Sequence, residues 1–346
     1  MSTIVREAFN NQAKWCDKLG SPFTARVCRL IAENLRTDIP VAATILNWPG
    51  DPSAKADSLP LRVAGALHYV ARNKKSSSLG NVYPPHAAND DSLWLSIRTA
   101  LIECDEIIRE YLAGPPQTNE VMRSAALLPG LLKIAAITGL PLALYEIGAS
   151  AGLNLILDRY RYQFGAAKWG DSKSPVLIKP QWQGAAPLVE TVLNIESREG
   201  VDINPIDLKN EAARLRLLSY VWADQTDRLQ RLDAAISLWL RDPPTIECAD
   251  AAQWLERAQF MQPRIGSTRV LFHSITWSYF PETTKQHIEK LLQASGAQAS
   301  AEAPLAWLRF ELAARATELK LTLWPHGEEI LLASGHPHGS TIQWLV

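Results

Sequence analysis

Cysteine is scarce in this chain. Cys16, Cys28, Cys104 and Cys248 form no Cys-x-x-Cys pair. That disfavours thiolate zinc and dithiol redox sites and predicts reduced, packed thiols in a cytoplasmic protein. An excess of either charge is lacking too. The formal net charge is −1 and no basic block occurs, so neither a nucleic-acid nor a membrane partner is expected. No apolar run approaches the ~20 residues needed to span a bilayer. Met1 to Trp15 carries Arg6, Glu7, Asn10, Asn11, Gln12 and Lys14, and lacks the apolar core of a signal peptide. Internal repeats and low-complexity tracts are also absent.

What remains is an ordinary globular composition, 47% hydrophobic and 21% charged over 346 residues. The length predicts one elaborated domain or two. The 12 tryptophans are numerous. Several flank turns, as in Trp48-Pro49 and Trp324-Pro325, and read as covers for loops.

Residues 1–140 read as an all-helical domain. Apolar residues recur at helical spacing in Phe23, Val27, Leu30, Ile31 and Leu35. A long helix is expected from Asp91 or Ser92 to Leu112, and a last one starting at Thr118 and reaching Pro129-Gly130. From residue 141 to 346, strand-like runs alternate with helical ones, which predicts an α/β domain with a mainly parallel sheet. Strands are expected at Leu142 to Ile147, up to Asp202, from Thr245 to the acid Asp250, at Arg269 to Ile275 and at Ala306 to Glu311. An antiparallel tail follows. Residues 161–190 read as an insertion, with Tyr160 to Phe164 pairing Val176 to Ile178 as a hairpin.

The densest signal is Leu142 to Leu155. An apolar strand ends in Glu146, a turn of small residues follows (Gly148, Ala149, Ser150, Ala151, Gly152), and a helix is expected from Leu153 to about Tyr160. Such a turn lets backbone approach a ligand closely. A tight turn without a ligand is the alternative. Glu146, Asp202 and Asp250 each close a strand, and open α/β sheets bind ligands at that edge. Asp202 can accept both ribose hydroxyls, Asp250 an exocyclic amine, and Glu146 an ammonium or the loop backbone. Helix capping and turn chemistry compete for the two aspartates. Asn154 either caps the helix or faces the ligand.

The order of these segments resembles the class I S-adenosylmethionine-dependent methyltransferases. Glu146 to Gly152 is similar to their first motif, Gly200 to Pro205 to their ribose-binding strand end, and Asp250-Ala251 to their adenine contact. The resemblance covers residues 140–346. It implies a Rossmann-like sheet with an antiparallel last strand, S-adenosylmethionine as cofactor, and a small-molecule substrate. The segment Val270 to Tyr279 falls where that family places catalytic groups, which brings forward His273 as a base and Trp277 on the substrate side. Two departures stand out: Ser150 replaces the middle glycine, and the gap between Gly152 and Asp202 is long. No Asn-Pro-Pro-Tyr segment follows the fourth strand, which argues against methylation of nucleic-acid bases.

A resemblance over nearly the whole chain is to a bacterial family of unknown function. It rests on Gly-Ala-Ser-Ala-Gly-Leu-Asn-Leu from Gly148, Asp158-Arg159-Tyr160, Asn119-Glu120 with Arg123-Ser124, Phe272-His273-Ser274, and Trp324-Pro325 with Pro337-His338-Gly339.

Asn119, Glu120 and Arg123 share a helical face and are candidates for the substrate side, with Arg123 pairing a carboxylate. An interdomain salt bridge is the plainer role. His326, His336 and His338 lack the companions of a metal set, and no metal is expected. Gly148 to Gly152 also matches the nucleophile turn Gly-x-Ser-x-Gly, which keeps a serine hydrolase built on Ser150 open. A non-catalytic nucleotide-binding protein is a third reading.

Overall fold

A computed structural model describes residues 2–257, 259–314 and 316–346. Along the chain run α1 (Ser2–Lys18), α2 (Pro22–Asn34), α3 (Pro40–Leu46), α4 (Leu59–Arg72), α5 (Ser77–Gly80), α6 (Asp90–Glu103), α7 (Asp105–Leu112) and α8 (Ser124–Thr138). Then come β1 (Leu142–Ile147), β2 (Arg161–Phe164), β3 (Ala167–Trp169), β4 (Leu177–Ile178), β5 (Gln181–Gln183), β6 (Ile195–Asp202), α9 (Glu211–Ser219), α10 (Thr226–Trp239), β7 (Thr245–Cys248), α11 (Ala251–Arg257), β8 (Thr268–Ser274), α12 (Glu282–Gly296), β9 (Leu305–Leu312), β10 (Thr317–Trp324), β11 (Glu328–Gly335) and β12 (Thr341–Trp344). The chain divides into two compact units, residues 1–118 with 209–230, and residues 119–208 with 231–346. The division therefore falls earlier than the 140/141 boundary expected from composition, and the first unit takes back a segment from the middle of the chain.

The first unit is helical. Phe9, Ile31, Leu35, Ile45, Val63, Leu67, Ile97 and Leu101 form its core, joined by Tyr220 and Ala223. The expected long helix from Asp91 to Leu112 is broken at Cys104, whose φ of −118° and ψ of 30° separate α6 from α7. Asn89 caps α6 by accepting the Ser92 N–H at 2.8 Å. The returning segment is tied in by polar contacts. His68 Nδ1 donates to the Ser219 carbonyl at 3.0 Å. Ser21 Oγ and the Phe23 N–H both donate to Asp224.

The second unit is built on a nine-stranded sheet in the order β5-β12-β11-β10-β9-β8-β1-β6-β7. The run β7-β6-β1-β8-β9 is parallel throughout, and β9 to β12 pair antiparallel as a meander. The chain is thus a mixed α/β protein with a large, mostly parallel central sheet and an N-terminal helical region. One face of β1 presents Ala143, Tyr145 and Ile147 to α11 and α12. Its other face carries Leu142, Leu144 and Glu146, because alternate residues point to opposite sides. On that second side α8 packs on β9, with Gly130 seated beneath Leu308. The stretch Val121–Thr138 is long and apolar enough to pass for a membrane span, closer than the sequence reading allowed, and 72% of it is buried inside the protein. α8 also continues through Pro129 rather than stopping there. Burial of Leu127, Leu128, Leu131 and Leu132 outweighs the one backbone bond that proline removes.

The insertion differs from the expected hairpin. β2 turns back on β3, and β4 lies parallel to β2 in a separate three-stranded sheet. β5 then leaves to pair β12 at the far edge of the main sheet. The turn Gly165-Ala166 closes the β2–β3 reversal, and glycine suits its first position, where φ is 60°.

Candidate functional site

Glu146 is the penultimate residue of β1, and the neighbouring strands hold it at the same level as Gly200 on β6 and Phe272 on β8. The turn after it is held by backbone bonds on both sides. The Ala149 N–H donates to the Val201 carbonyl at 3.0 Å, and the Ile206 N–H donates to the Ser150 carbonyl at 3.1 Å. Three positive φ values shape it: Gly148 at 66°, Ser150 at 55° and Gly152 at 71°. Ser150 thus holds the conformation of the glycine it replaces.

The glycines do not open a space. A Cβ on Gly148 would collide with the Thr276 side chain, and one on Gly152 would lie 2.6 Å from Ile246 Cδ1. Both glycines are required by packing against protein. The element that follows also departs from expectation. Residues Leu153–Arg159 form a 3-10 turn with Ile156 out of helical geometry (φ −108°, ψ 21°), not an α-helix. A short, bent turn offers little aligned dipole to an anion.

Around this turn a set of polar atoms is buried without partners among the described residues. They are Glu146 Oε2, Ser150 Oγ, and both Oδ1 and Nδ2 of Asn154. The three residues are 2%, 6% and 1% exposed. Native proteins leave few such groups, and a bound water, ion or ligand is the usual reason. Burial pushes the Glu146 carboxyl well above its ordinary range; nearby Asp202 adds to the effect and Arg123 opposes it.

Asp202 is engaged mainly with backbone. Its Oδ2 accepts the Ser150 N–H at 2.8 Å and its Oδ1 accepts the Asn204 N–H at 2.9 Å. Each oxygen keeps a lone pair. Asp250 Oδ1 accepts from Ala252 and Gln253 at 2.9 and 3.1 Å, the geometry of a cap on α11, whose first residue is Ala251.

The segment before α8 lies against the turn. Asn119 Oδ1 accepts the Leu153 N–H at 2.8 Å. Glu120 Oε1 accepts the Met122 N–H at 3.0 Å. Arg123 donates from Nη1 to the Ser274 carbonyl at 3.0 Å and from Nε to the Pro337 carbonyl at 3.2 Å. A Cβ on Gly339 would collide with the Met122 carbonyl. Hence four segments distant in sequence, 119–123, 146–154, 274–276 and 337–339, meet at the C-terminal ends of β1 and β8. Arg123 ties the loops after β8 and β11 to the start of α8.

His273 is fully buried, and both ring nitrogens are engaged. Nδ1 meets Glu311 Oε1 at 2.7 Å, and Trp307 Nε1 donates to Nε2 at 3.1 Å. An indole N–H can only donate, so the ring carries its proton on Nδ1. It stacks on Trp277, centroids 5.2 Å apart. Both nitrogens that could exchange a proton are thereby occupied, which fits a core histidine and not a free general base. Glu311 Oε1 also accepts the N–H groups of Thr276 (3.0 Å) and Trp277 (3.2 Å). Burial would raise the Glu311 carboxyl, but its bond to His273, the field of that ring and the N–H groups of Thr276 and Trp277 outweigh it and hold it below its ordinary range.

Sequence reasoning missed Thr276 and Glu311. Glu311 closes an apolar strand as Glu146 and Asp202 do, and that pattern was the available signal. Ile275 was also unmarked, and its φ of 50° is rare for a β-branched residue. The Asp158-Arg159-Tyr160 string proves structural. Asp158 takes a bidentate pair from Arg198 at 2.7 and 3.1 Å, Arg159 pairs Asp242, and Tyr160 Oη donates to the Leu153 carbonyl at 2.6 Å.

No curated protein and no solved structure matches this chain. A family model does, over residues 6–344, and the chain belongs to that family, DUF2332, described as an uncharacterised protein conserved in bacteria.

Proposed function

We propose that this chain binds S-adenosylmethionine at the C-terminal edge of its parallel strands and is a methyltransferase for a small molecule. The observation that carries the reading is the unpartnered set Glu146 Oε2, Ser150 Oγ and Asn154 Oδ1 and Nδ2, placed where parallel sheets bind nucleosides. The strand order β7-β6-β1-β8-β9 puts a change of winding direction beside β1, which supports the same edge.

The residues fit this cofactor in part. Glu146, Ser150 and Asn154 offer an acceptor, a hydroxyl and an amide to an amino-acid tail. Asp202, half-buried with a lone pair left on each oxygen, would take the ribose hydroxyls. Asp250 has one oxygen left for the base. The glycines do not contribute an open cradle, since Thr276, Ile246 and Pro244 occupy it. Bound there, the sulfonium supplies an activated methyl group, and alignment of an acceptor is the main demand on the protein. Arg123 and Asn119 fix the loops around it. His273 fixes Glu311 and through it Thr276 and Trp277.

Titration calorimetry with S-adenosylmethionine and its demethylated product tests the reading. Binding that weakens about tenfold in Asn154→Ala and Glu146→Gln is expected, the scale of one lost polar contact. No heat and no thermal shift at millimolar ligand would reject it. The hydrolase alternative lacks a base, because Ser150 Oγ has no partner among the described residues. Labelling of Ser150 by a fluorophosphonate would reverse that judgement.

A further inference from the structure

No helix follows β9. The chain turns directly into β10, closed by the Ala313 N–H to the Ala316 carbonyl at 2.8 Å. The sheet face that carries Trp307, Arg309 and Glu311 on β9, and Glu318, Lys320, Thr322 and Trp324 on β10, is therefore left bare beyond α12. The result is a cleft of about 570 Å³, within the range of small-molecule sites. It opens on the opposite side of the sheet from Glu146.

Three indoles line it: Trp277, Trp307 and Trp324. Its two lining cations are already paired. Arg309 pairs Glu329 and lies 3.9 Å over the Trp307 ring. Lys320 pairs Glu318 at 3.1 Å and Glu329 at 3.5 Å. Two lining carboxylates, Glu289 and Glu311, have no Lys or Arg ion-pair partner among the described residues. Glu311 cannot draw on a cationic His273, because Trp307 donates to Nε2. Its Oε1 is anchored by three donors, which leaves Oε2 rigidly placed and without a protein donor among the described residues. Aromatic walls, a fixed acceptor and surplus negative charge together select a cation. An anion would meet cations that are already paired and two further carboxylates. A neutral polyol would leave that surplus charge unanswered.

We propose that this cleft binds a small organic ammonium compound, its N–H donating to Glu311 Oε2 and its apolar body against Trp277, Trp307 and Trp324. The natural ligand is then an amine of one or two rings or an equivalent aliphatic chain.

The test is calorimetric titration of the full chain with benzylammonium, and with benzyl alcohol, benzoate and glucose as neutral, anionic and polyol probes. Benzylammonium is expected to bind at least about tenfold more tightly than benzyl alcohol, with affinity falling as salt rises. Benzoate and glucose should give no heat. Glu311→Gln keeps a carbonyl for Thr276 and Trp277 and should remove the preference for the cation. Glu289→Gln changes an exposed residue that the fold does not need, and should weaken benzylammonium binding by a smaller factor. Equal binding of the alcohol, tighter binding of benzoate or glucose, or no binding of any probe at millimolar concentration overturns the proposal. So does unchanged benzylammonium affinity in both variants.

Discussion

Ser150 combines two costs that a stable turn would avoid. Its φ of 55° is one that only glycine adopts freely, and its hydroxyl is buried without a partner. Ser150→Gly removes both, so urea unfolding should show a gain of about 1 kcal/mol. If the hydroxyl serves a ligand, the same variant loses affinity while it gains stability. Glu146 makes a pH prediction. Its carboxyl is raised in the folded protein by burial and by Asp202, so above the ordinary carboxylate range the unfolded chain releases a proton that the folded chain keeps. Stability therefore falls as pH rises from about 4.5, until the folded carboxyl itself ionises. Glu146→Gln should flatten that slope and be the more stable protein at pH 7, measured by denaturant midpoints across the range. The sequence showed that Glu146 closes a strand beside small residues. It did not show that Asp202 and Asp250 would commit their oxygens to backbone N–H groups, because those bonds depend on how each turn folds over its neighbour.

Among the elements, the β1 turn and its 3-10 continuation are held from outside more than by their own helicity. The Arg198 guanidinium on β6 grips Asp158 at two points and the Leu155 carbonyl at 3.1 Å. Both partners are mostly buried, with side chains 19% and 23% exposed. Removing the arginine leaves Asp158 with its charge unanswered, so Arg198→Met should cost about 1–3 kcal/mol. Thermal unfolding checks this, with the exposed pair Arg29–Asp17 as a control, where Arg29→Met should change little. Strand positions were legible because apolar runs bounded by turns have few other uses. The short bent turn at Leu153–Arg159 was not, since its apolar spacing suits an α-helix and tertiary bonds from Arg198 and Tyr160 decide otherwise. The meander from Leu319 onward was legible for the same reason as the strands, with its turns at Gly327 and Gly339 marked by glycine.

For the molecule as a whole, the segment 209–230 is the clearest lesson. It lies between two strands of the sheet unit in sequence, yet Tyr220 and Ala223 are part of the helical core. Ser219 receives His68 and Tyr111, and Asp224 receives Ser21. A fragment ending at residue 118 leaves those groups unpaired. It also uncovers Gly65 on α4, which packs so closely on the Tyr220 ring that a Cβ there would lie 2.7 Å from it. Residues 1–118 alone should therefore show no cooperative unfolding transition. The same residues joined by a flexible linker to 209–230 should recover one, read by circular dichroism on heating.

Composition and apolar periodicity by themselves determined the helical first part, the alternating second part and the strand that ends in Glu146, because burial demands those patterns in any fold. Only the tertiary structure decided that the small-residue turn is closed by Thr276 and Ile246, that His273 is locked between Glu311 and Trp307, and that a tryptophan-lined cleft opens beside α12. Each of these depends on contacts between residues far apart in the chain, where local spacing carries no information about which side chain fills which space.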